Sequence, residues 1–480
     1  MDLGIWRSFR ASSVTMLDVG LGGARTFGSH GDNVPLHPPS VLHPRSAVVM
    51  QDPSSEPRPS LLEQVAEQFG TPAYVYFLEY IEARVRAVRE AFGGLMGVSY
   101  AVKANPNREI VRRLHGLVDH LDVSSGGEIL LGREAGWQPD VFTFVGPAKA
   151  EWELELALEA GCGLIVAESE EELKQIDMLA SERGVRARVA LRLNPLELPE
   201  GFGVSMSRRP TIFGFDEEVA GEAVEVAMGL PDVDLAGFHV YAGTQCLNNE
   251  SIAENLVNTA ELFGRLIREH GLHPSTLIFG SGFGIPYHDR DRAIDLEAIV
   301  RQTRGPLEQL ASVLEPHGGR MHLELGRYIV GEAGHYLARV ARIKETRGHS
   351  IIALDGGMNH HLAASGNLGG VIKRNYPIRN ITRCTDEASG ELRAYDLAGP
   401  MCTNIDMLGR AASLPPTRPG DVISIGASGA YGPTASPVLF ISHRSPREVL
   451  VSTMEPFEAH DITESGTLHT PIQFPGPGPA

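Results

Sequence analysis

The side chains best suited to chemistry are scattered singly along the middle of the sequence. Lys103 lies in YAVKAN, Asp122 and Glu128 in LDVSSGGE, Arg192 in RVALRLN and His239 in HVYAGTQ. A GSGFG run comprises Gly280, Ser281, Gly282, Phe283 and Gly284, and Glu324 and Arg327 share MHLELGR. Cys402, Thr403 and Asp406 follow in GPMCTNIDML, and Tyr431 in SGAYG. Each has an ordinary structural explanation when taken alone. A lysine at a strand end is usually solvated, glycine runs often only make tight turns, and a Glu–Arg pair is often a plain ion pair. Gathered on one face, the same residues offer an amine, a carboxylate, a flat imidazole and unobstructed backbone N–H groups. That set suits an anionic cofactor with a basic ring.

The elements between these residues decide whether they can meet. Short apolar runs at 98–104, 120–125, 141–146, 163–169, 188–194, 235–243, 276–282 and 321–326 read as eight strands, with helical patterns between them. Continuous apolar strands alternating with helices imply a parallel sheet covered on both faces. Eight such units have the size of a (β/α)8 barrel, whose functional residues sit at the C-terminal strand ends, where the polar residues above fall. LLEQVAEQFG predicts a helix stopped by Gly70, YVYF at 74–77 a short strand, and 78–92 a helix with Ile81, Val85 and Val88 on one face. Past residue 337 short segments separated by Gly, Pro and Asn read as a mainly β domain. The expected division is a leader over 1–58, a barrel over 59–336, a β domain over 337–463 that can include the first residues after the leader, and a tail over 464–480.

Pyridoxal phosphate meets the chemical requirements of the residue set. It needs a lysine for a Schiff base, and Lys103 supplies the amine. Its phosphate needs accessible backbone N–H groups, which Gly280–Gly284 can provide. Its ring nitrogen needs a carboxylate partner, for which Glu324 is suited, and His239 can stack on the ring.

YAVKANPN, LDVSSGGE, GSGFG, ELGR, GPMCTNIDML and SGAYG occur in an order that resembles the fold-type III pyridoxal-phosphate decarboxylases. This is the diaminopimelate, ornithine and arginine decarboxylase group related to alanine racemase. The similarity runs over about residues 60–455, and six ordered motifs are far more specific than any one. It implies an alanine racemase-like fold: a TIM barrel with a C-terminal β-sandwich or β-barrel. It implies Lys103 as the Schiff-base lysine, His239 stacked on the ring and Glu324 at its nitrogen. The GSGFG amides, Arg327 and Tyr431 would hold the phosphate, with Asp122, Glu128 and Arg192 as supports. It further implies a homodimer with shared sites, in which Cys402 of one subunit protonates the product carbanion in the other and Asp406 lines the substrate end.

Where diaminopimelate decarboxylases typically carry HIGSQ, EPGR and a Cys-Glu pair, this chain has HVYAGTQ, ELGR and Cys402-Thr403. Thr403 has no charge to hold a distal polar end. The segments DGGMNHHLAASGNLGGVIKRNYP and GAYGPTASPVLFISHRSPREVLV resemble a branch acting on aminoacyl groups of acyl-carrier proteins, together with exosortase-associated decarboxylases. The reading is therefore a decarboxylase of an L-amino acid or aminoacyl group, with a carrier protein as the candidate partner. A free diamino-acid decarboxylase, a racemase and a non-catalytic regulatory homologue stand as alternatives. His360, His361, Lys373 and Arg374 are candidates for a substrate carboxylate or a phosphopantetheine phosphate, and equally read as a solvated loop. Lys373 and Arg374 are also candidates for a docking patch. Adjacent histidines on a strand point apart and no third ligand is evident, so no metal is expected.

Composition narrows the remaining classes. The chain has 480 residues, with 42 Lys and Arg against 60 Asp and Glu, giving a formal charge of −18. A surface this acidic repels nucleic acid. No run approaches the ~18 apolar residues of a membrane span. The four cysteines show no CxxC spacing, which points to a reducing, cytoplasmic compartment. Residues 1–60 hold seven Pro and six Gly and predict a mostly disordered leader, with Met16 and Met50 as alternative starts.

Overall fold

A computed structural model describes residues 40–41, 59–197, 199–202, 204–205, 210–368, 374–383, 391–453 and 457–466. All eight expected barrel strands form: β1 Gly97–Ala101, β2 His120–Val123, β3 Phe142–Phe144, β4 Leu164–Ala167, β5 Ala187–Asn194, β6 Val233–Tyr241, β7 Thr276–Gly280 and β8 Arg320–Leu325. Neighbours pair in parallel from β1 round to β5, β5 pairs with β6, and β8 returns to β1, so the sheet closes. Strands such as Leu164–Ala167 and Thr276–Gly280 are buried throughout, as continuous apolar runs require when both faces are covered.

The strands are shorter at their C-terminal ends than the apolar runs suggest, because polar residues there turn to other work. Lys103 sits in a single 3-10 turn, Val102–Ala104, just beyond β1. Ser125, Ser169 and Asn248 cap the helices Gly126–Glu134, Glu170–Arg183 and Asn249–His270, each accepting from a backbone N–H of the first turn. The helices at Pro59–Phe69 and Leu78–Phe92 form as expected, with Ile81, Val85 and Val88 buried and Gly70 at φ +84° ending the first.

The second sheet begins as the chain leaves the barrel. β9 Gly334–Thr346 pairs antiparallel with β10 His349–Leu354, β10 pairs parallel with β11 Arg393–Ala398, and β11 pairs antiparallel with β12 Met407–Leu414. β9 also pairs with β13 Val422–Ile425 and with the strand Ala73–Phe77, which pairs in turn with β14 Arg447–Ser452. The apolar YVYF segment thus belongs to this sheet and not to the barrel. Within the leader, Ser40 and Val41 pair with Ala459 and Glu458. Lys373 and Cys384 lie outside the described residues.

The two sheets are bolted together through the segment that follows Lys103. Tyr431 N–H donates to Ala104 O at 2.8 Å, Asn105 Nδ2 to Gly429 O at 3.0 Å, and Asn107 Nδ2 to Ile462 O at 3.1 Å. Gly429 also lets this loop pack on the segment after β8, since a Cβ there would lie 1.8 Å from Val330 O. Beneath the seam, Tyr76 Oη donates to the buried Glu448 at 3.1 Å. Burial pushes the Glu448 carboxyl up to about 7, against hydrogen bonds from Tyr76 and Asn107 that favour its ionised form. Its folded value therefore lies above its unfolded one. The stability it contributes is complete below the ordinary carboxyl range and is lost as pH rises through about 7. Glu448→Gln is expected to stabilise the fold by on the order of 2 kcal/mol at about pH 8 and by much less at about pH 5. Denaturant unfolding of both proteins at the two pH values checks this, and an equal difference at both would refute it.

Candidate active site

The C-terminal mouth of the barrel gathers the polar residues of five strands round Lys103. Its Nζ lies 3.1 Å from Asp122 Oδ2, beyond β1 and on β2, and 3.4 Å from Glu324 Oε1 on β8. The lysine side chain keeps 37% exposure while the two carboxylates keep 2% and 3%, so the amine is reachable from the cavity and its partners are not. One ammonium faces two buried carboxylates and cannot neutralise both. Burial would raise Glu324, but the Lys103 charge and a 3.0 Å hydrogen bond from His239 Nε2 hold it well below the usual carboxylate range. Asp122 takes the other outcome: burial and the Glu324 charge raise it further than Lys103 can offset. For Lys103, burial disfavours the ammonium, yet the two carboxylates raise it well above an ordinary lysine. Burial lowers His239, so the imidazole is neutral and donates through Nε2 to the ionised Glu324.

The phosphate-side residues converge as well. Lys103, Tyr241, Thr244, Ser281, Gly282, Phe283, Glu324, Arg327 and Tyr431 line one cavity. Gly282 has φ +68°, and a Cβ there would meet the Phe202 ring at 2.3 Å, so the loop after β7 needs glycine at this point. Gly284 N–H is committed to Cys246 O at 2.9 Å, which leaves the earlier part of the GSGFG run to present its amides. Arg327 opens the short helix Arg327–Val330, donates to Tyr287 Oη at 2.5 Å and lies 4.7 Å from the Tyr431 ring centroid. Tyr431 holds φ +53°, an unfavourable backbone for tyrosine, pinned by its bond to Ala104 O.

The other expected residues fall in three groups. Glu128 is the N3 residue of a cap: its N–H donates to Ser125 Oγ and its Oε2 accepts from Ser124 N–H at 2.6 Å. Arg192 is buried against Glu168, a residue that sequence reasoning missed, and stands opposite His239 in the β5–β6 ladder. Tyr241 was missed too; its position two residues beyond His239, where HVYAGTQ departs from the family motif, was the available signal. Cys402 is exposed and Thr403 half-buried in the turn between β11 and β12, and neither lines the Lys103 cavity.

Two expectations on the β domain need correction. His360 was a candidate for substrate contact, but it is buried with both ring nitrogens engaged, by Tyr336 Oη at 3.2 Å and Arg444 O at 2.9 Å. His361 is equally buried, against Ser428 Oγ at 2.9 Å. Tyr74, Tyr336 and Tyr376 wall this pair in, and so these two histidines are core and not part of a solvated loop. Asp406 was expected at the substrate end. Within the chain its two oxygens instead accept from Met358 N–H at 2.6 Å and Met401 N–H at 2.8 Å, tying two loops of the β domain together. Arg374 is exposed.

Three buried polar atoms on these residues, Asp122 Oδ1, His239 Nδ1 and Arg327 Nε, have no protein partner among the described residues. The donor set fits pyridoxal phosphate. Lys103 would bond it covalently, Glu324 would face the ring nitrogen, and the amides after β7 with Arg327 and Tyr431 would hold the phosphate.

The profile of the family described as pyridoxal-dependent decarboxylase, pyridoxal binding domain, matches residues 78–331. The chain belongs to the pyridoxal-dependent decarboxylases. It is 34% identical over 386 residues to an L-glutamyl-[BtrI acyl-carrier protein] decarboxylase of Niallia circulans, covering 80% of this chain and 90% of that one. It is 29% identical to a diaminopimelate decarboxylase of Aquifex aeolicus, covering 77% and 84%. The solved diaminopimelate decarboxylase of Helicobacter pylori complexed with L-lysine superposes with a TM-score of 0.73 at 27% identity, covering 84% of this chain and 95% of that one. The fold is accordingly the barrel-plus-sheet arrangement of those enzymes. Lys103→Ala is expected to abolish the visible absorbance of the bound cofactor together with CO2 release. Glu324→Gln is expected to keep that absorbance and to lose ~100-fold or more in turnover, because an amide cannot hold the ring nitrogen protonated. Absorbance titration and carbon dioxide release distinguish the two variants.

Proposed function

We propose that the chain removes the α-carboxylate of an L-glutamyl or similar acidic aminoacyl group carried as a thioester on an acyl-carrier protein, as a homodimer. The observation that carries this reading is the neutral Thr403 directly after Cys402. A thioester distal end is uncharged and needs no ionic partner there. The similarity to the carrier-linked glutamyl decarboxylase supports it. So does the distribution of charge. Residues 59–336 hold 24 Lys and Arg against 42 Asp and Glu, whereas residues 337–463 hold 13 against 12. The whole net negative charge falls on the barrel segment, which leaves the β domain as the face an acidic carrier can approach. Arg374 and Arg410 are exposed there, on either side of paired bonds between the Asn375 amide and the Arg410 backbone at 2.7 and 2.8 Å.

Pyridoxal phosphate supplies a protonated ring that takes up the electron pair left when CO2 departs. The side chains of this protein prepare and complete that event. Asp122, with its raised proton affinity 3.1 Å from Lys103 Nζ, accepts and returns the proton that the amine must shed and regain. Glu324 stays ionised, and neutral His239 holds its other oxygen without competing for its charge. Cys402 of the partner subunit delivers the proton to Cα, since the thiol in its own chain is exposed away from the Lys103 cavity. Matches to diaminopimelate decarboxylases at 29–31% identity favour a second reading, a free diamino acid as substrate.

Carbon dioxide release is expected from glutamyl-loaded carrier protein and not from free diaminopimelate, ornithine or lysine; turnover confined to the free diamino acids would sink the carrier reading. Arg374→Glu with Arg410→Glu should raise KM for the loaded carrier and leave KM for a glutamyl-pantetheine thioester unchanged. Cys402→Ala should retain bound cofactor and lose ~10-fold or more in correctly protonated product, read by deuterium incorporation at Cα.

A further inference from the structure

A second buried charge cluster lies at neighbouring strand ends beside the cavity, with Lys149, Glu168, Glu172 and Arg192 as its members. Glu168 follows the last residue of β4, and the helix Glu170–Arg183 starts two residues on. That helix opens with a reciprocal cap. Ser169 Oγ accepts from Glu172 N–H at 3.2 Å, and Glu172 Oε2 accepts from Glu168 N–H at 2.7 Å. Lys149, with its side chain 1% exposed, gives all three ammonium protons to Gly146 O, Val166 O and Glu172 Oε1 at 2.6–2.8 Å. The backbone of Glu168 is thereby fixed from behind. In front, both Glu168 oxygens accept from Arg192 Nη1 at 3.0 and 3.1 Å, and the guanidinium lies 4.5 Å from the Phe213 ring centroid.

Two cations and two carboxylates balance in this cluster, and its forward cation is the one that touches the site. Arg192 sits directly opposite His239 in the β5–β6 ladder, and His239 bonds Glu324. A cation at that place that is not neutralised competes for Glu324 with the Lys103 ammonium and with a protonated ring nitrogen. We propose that Glu168 is a positioning residue of the decarboxylase. It aims the Arg192 guanidinium and cancels its charge, so that the Glu324 carboxylate remains available to the cofactor ring. Lys149 and Glu172 hold Glu168 in place and have no contact with the cavity. The charges felt at His239 agree in sign, Arg192 disfavouring its protonated form and Glu168 favouring it. Arg192 likewise acts on Glu324. The groups that face Lys103 and share its titration are Asp122, Glu128, Tyr241, Glu324 and Tyr431, all unchanged in the variants below.

The test is a pH titration of the visible absorbance of cofactor-loaded full-length protein, which reads the proton held at the Lys103–cofactor linkage and not turnover. Glu168→Gln leaves Arg192 uncompensated, and the midpoint should fall by about one pH unit, a tenfold change in the protonated ratio. Glu168→Asp, which keeps the charge, should stay near the parent value. The double variant Glu168→Gln with Arg192→Met, which removes both charges, should recover most of the shift. A buried ion pair that serves only the fold would recover folded yield in the double variant but would leave the absorbance midpoint unmoved in the single one. If the single variant does not fold, Arg192→Met, which leaves Glu168 as the uncompensated charge, should move the midpoint upward, and an unmoved midpoint there would overturn the proposal. An unmoved midpoint in Glu168→Gln would overturn the proposal. So would a double variant whose midpoint is no nearer the parent value than that of the single one.

Discussion

One ammonium set between two buried carboxylates is the constraint on which the site depends. Lys103 cannot satisfy Asp122 and Glu324 at once in so dry a place, and the protein resolves the excess by making the two carboxylates unlike. The Lys103 charge and the His239 hydrogen bond hold Glu324 ionised, while burial and the Glu324 charge raise the proton affinity of Asp122. Had both been exposed, water would have screened the difference and two ordinary carboxylates would have resulted. This asymmetry underlies the proposed roles, Glu324 as partner of the electron sink and Asp122 as proton carrier for the amine.

The rest of the architecture keeps that asymmetry in register. Five strands bring their ends to one mouth, and the turn carrying Lys103 is held from outside the barrel by bonds to Gly429 and Tyr431 and, through Asn107, to Ile462. Asn105 and Asn107 of the YAVKANPN motif are thus explained as bolts to the second sheet. The loop that supplies the Gly429 carbonyl and the Tyr431 N–H also carries the Tyr431 ring toward Arg327. The β domain therefore supplies Tyr431 to the Lys103 cavity of its own chain.

Two groups of buried charge lie side by side: Lys103, Asp122 and Glu324 with neutral His239, and, beside His239 in the ladder, Arg192 with Glu168, behind which Lys149 bonds Glu172. Ions in such a place are costly unless each has a partner. The partners here come from neighbouring strand ends, which is why residues with no contact to the cavity still bear on its electrostatics. Similarity to enzymes of free and carrier-bound amino acids alike is consistent with these groups serving the shared chemical step. In the proposed reading, substrate choice would rest on residues outside them, such as Thr403.

Much of the barrel was legible in the sequence. Eight continuous apolar runs separated by helical patterns can bury themselves in few ways, and polar residues at their ends mark the mouth. Chemistry that depends on residue type was legible for the same reason: a lysine, a glutamate and a glycine run in order carry their possible roles with them. Pairing was not legible. That Arg192 meets Glu168, that Tyr76 meets Glu448, and that Asp406 serves two loops of backbone depend on residues far apart in the chain, and sequence spacing says nothing of such contacts. His360 and His361 make the point most sharply. Their Gly- and Asn-rich surroundings suggested an exposed loop, yet three tyrosines from distant segments close over them. Residue type and local periodicity determined which elements and which chemistry this protein could have. Only the tertiary structure decided burial and partners, and therefore which carboxylate stays charged and which histidines are merely core.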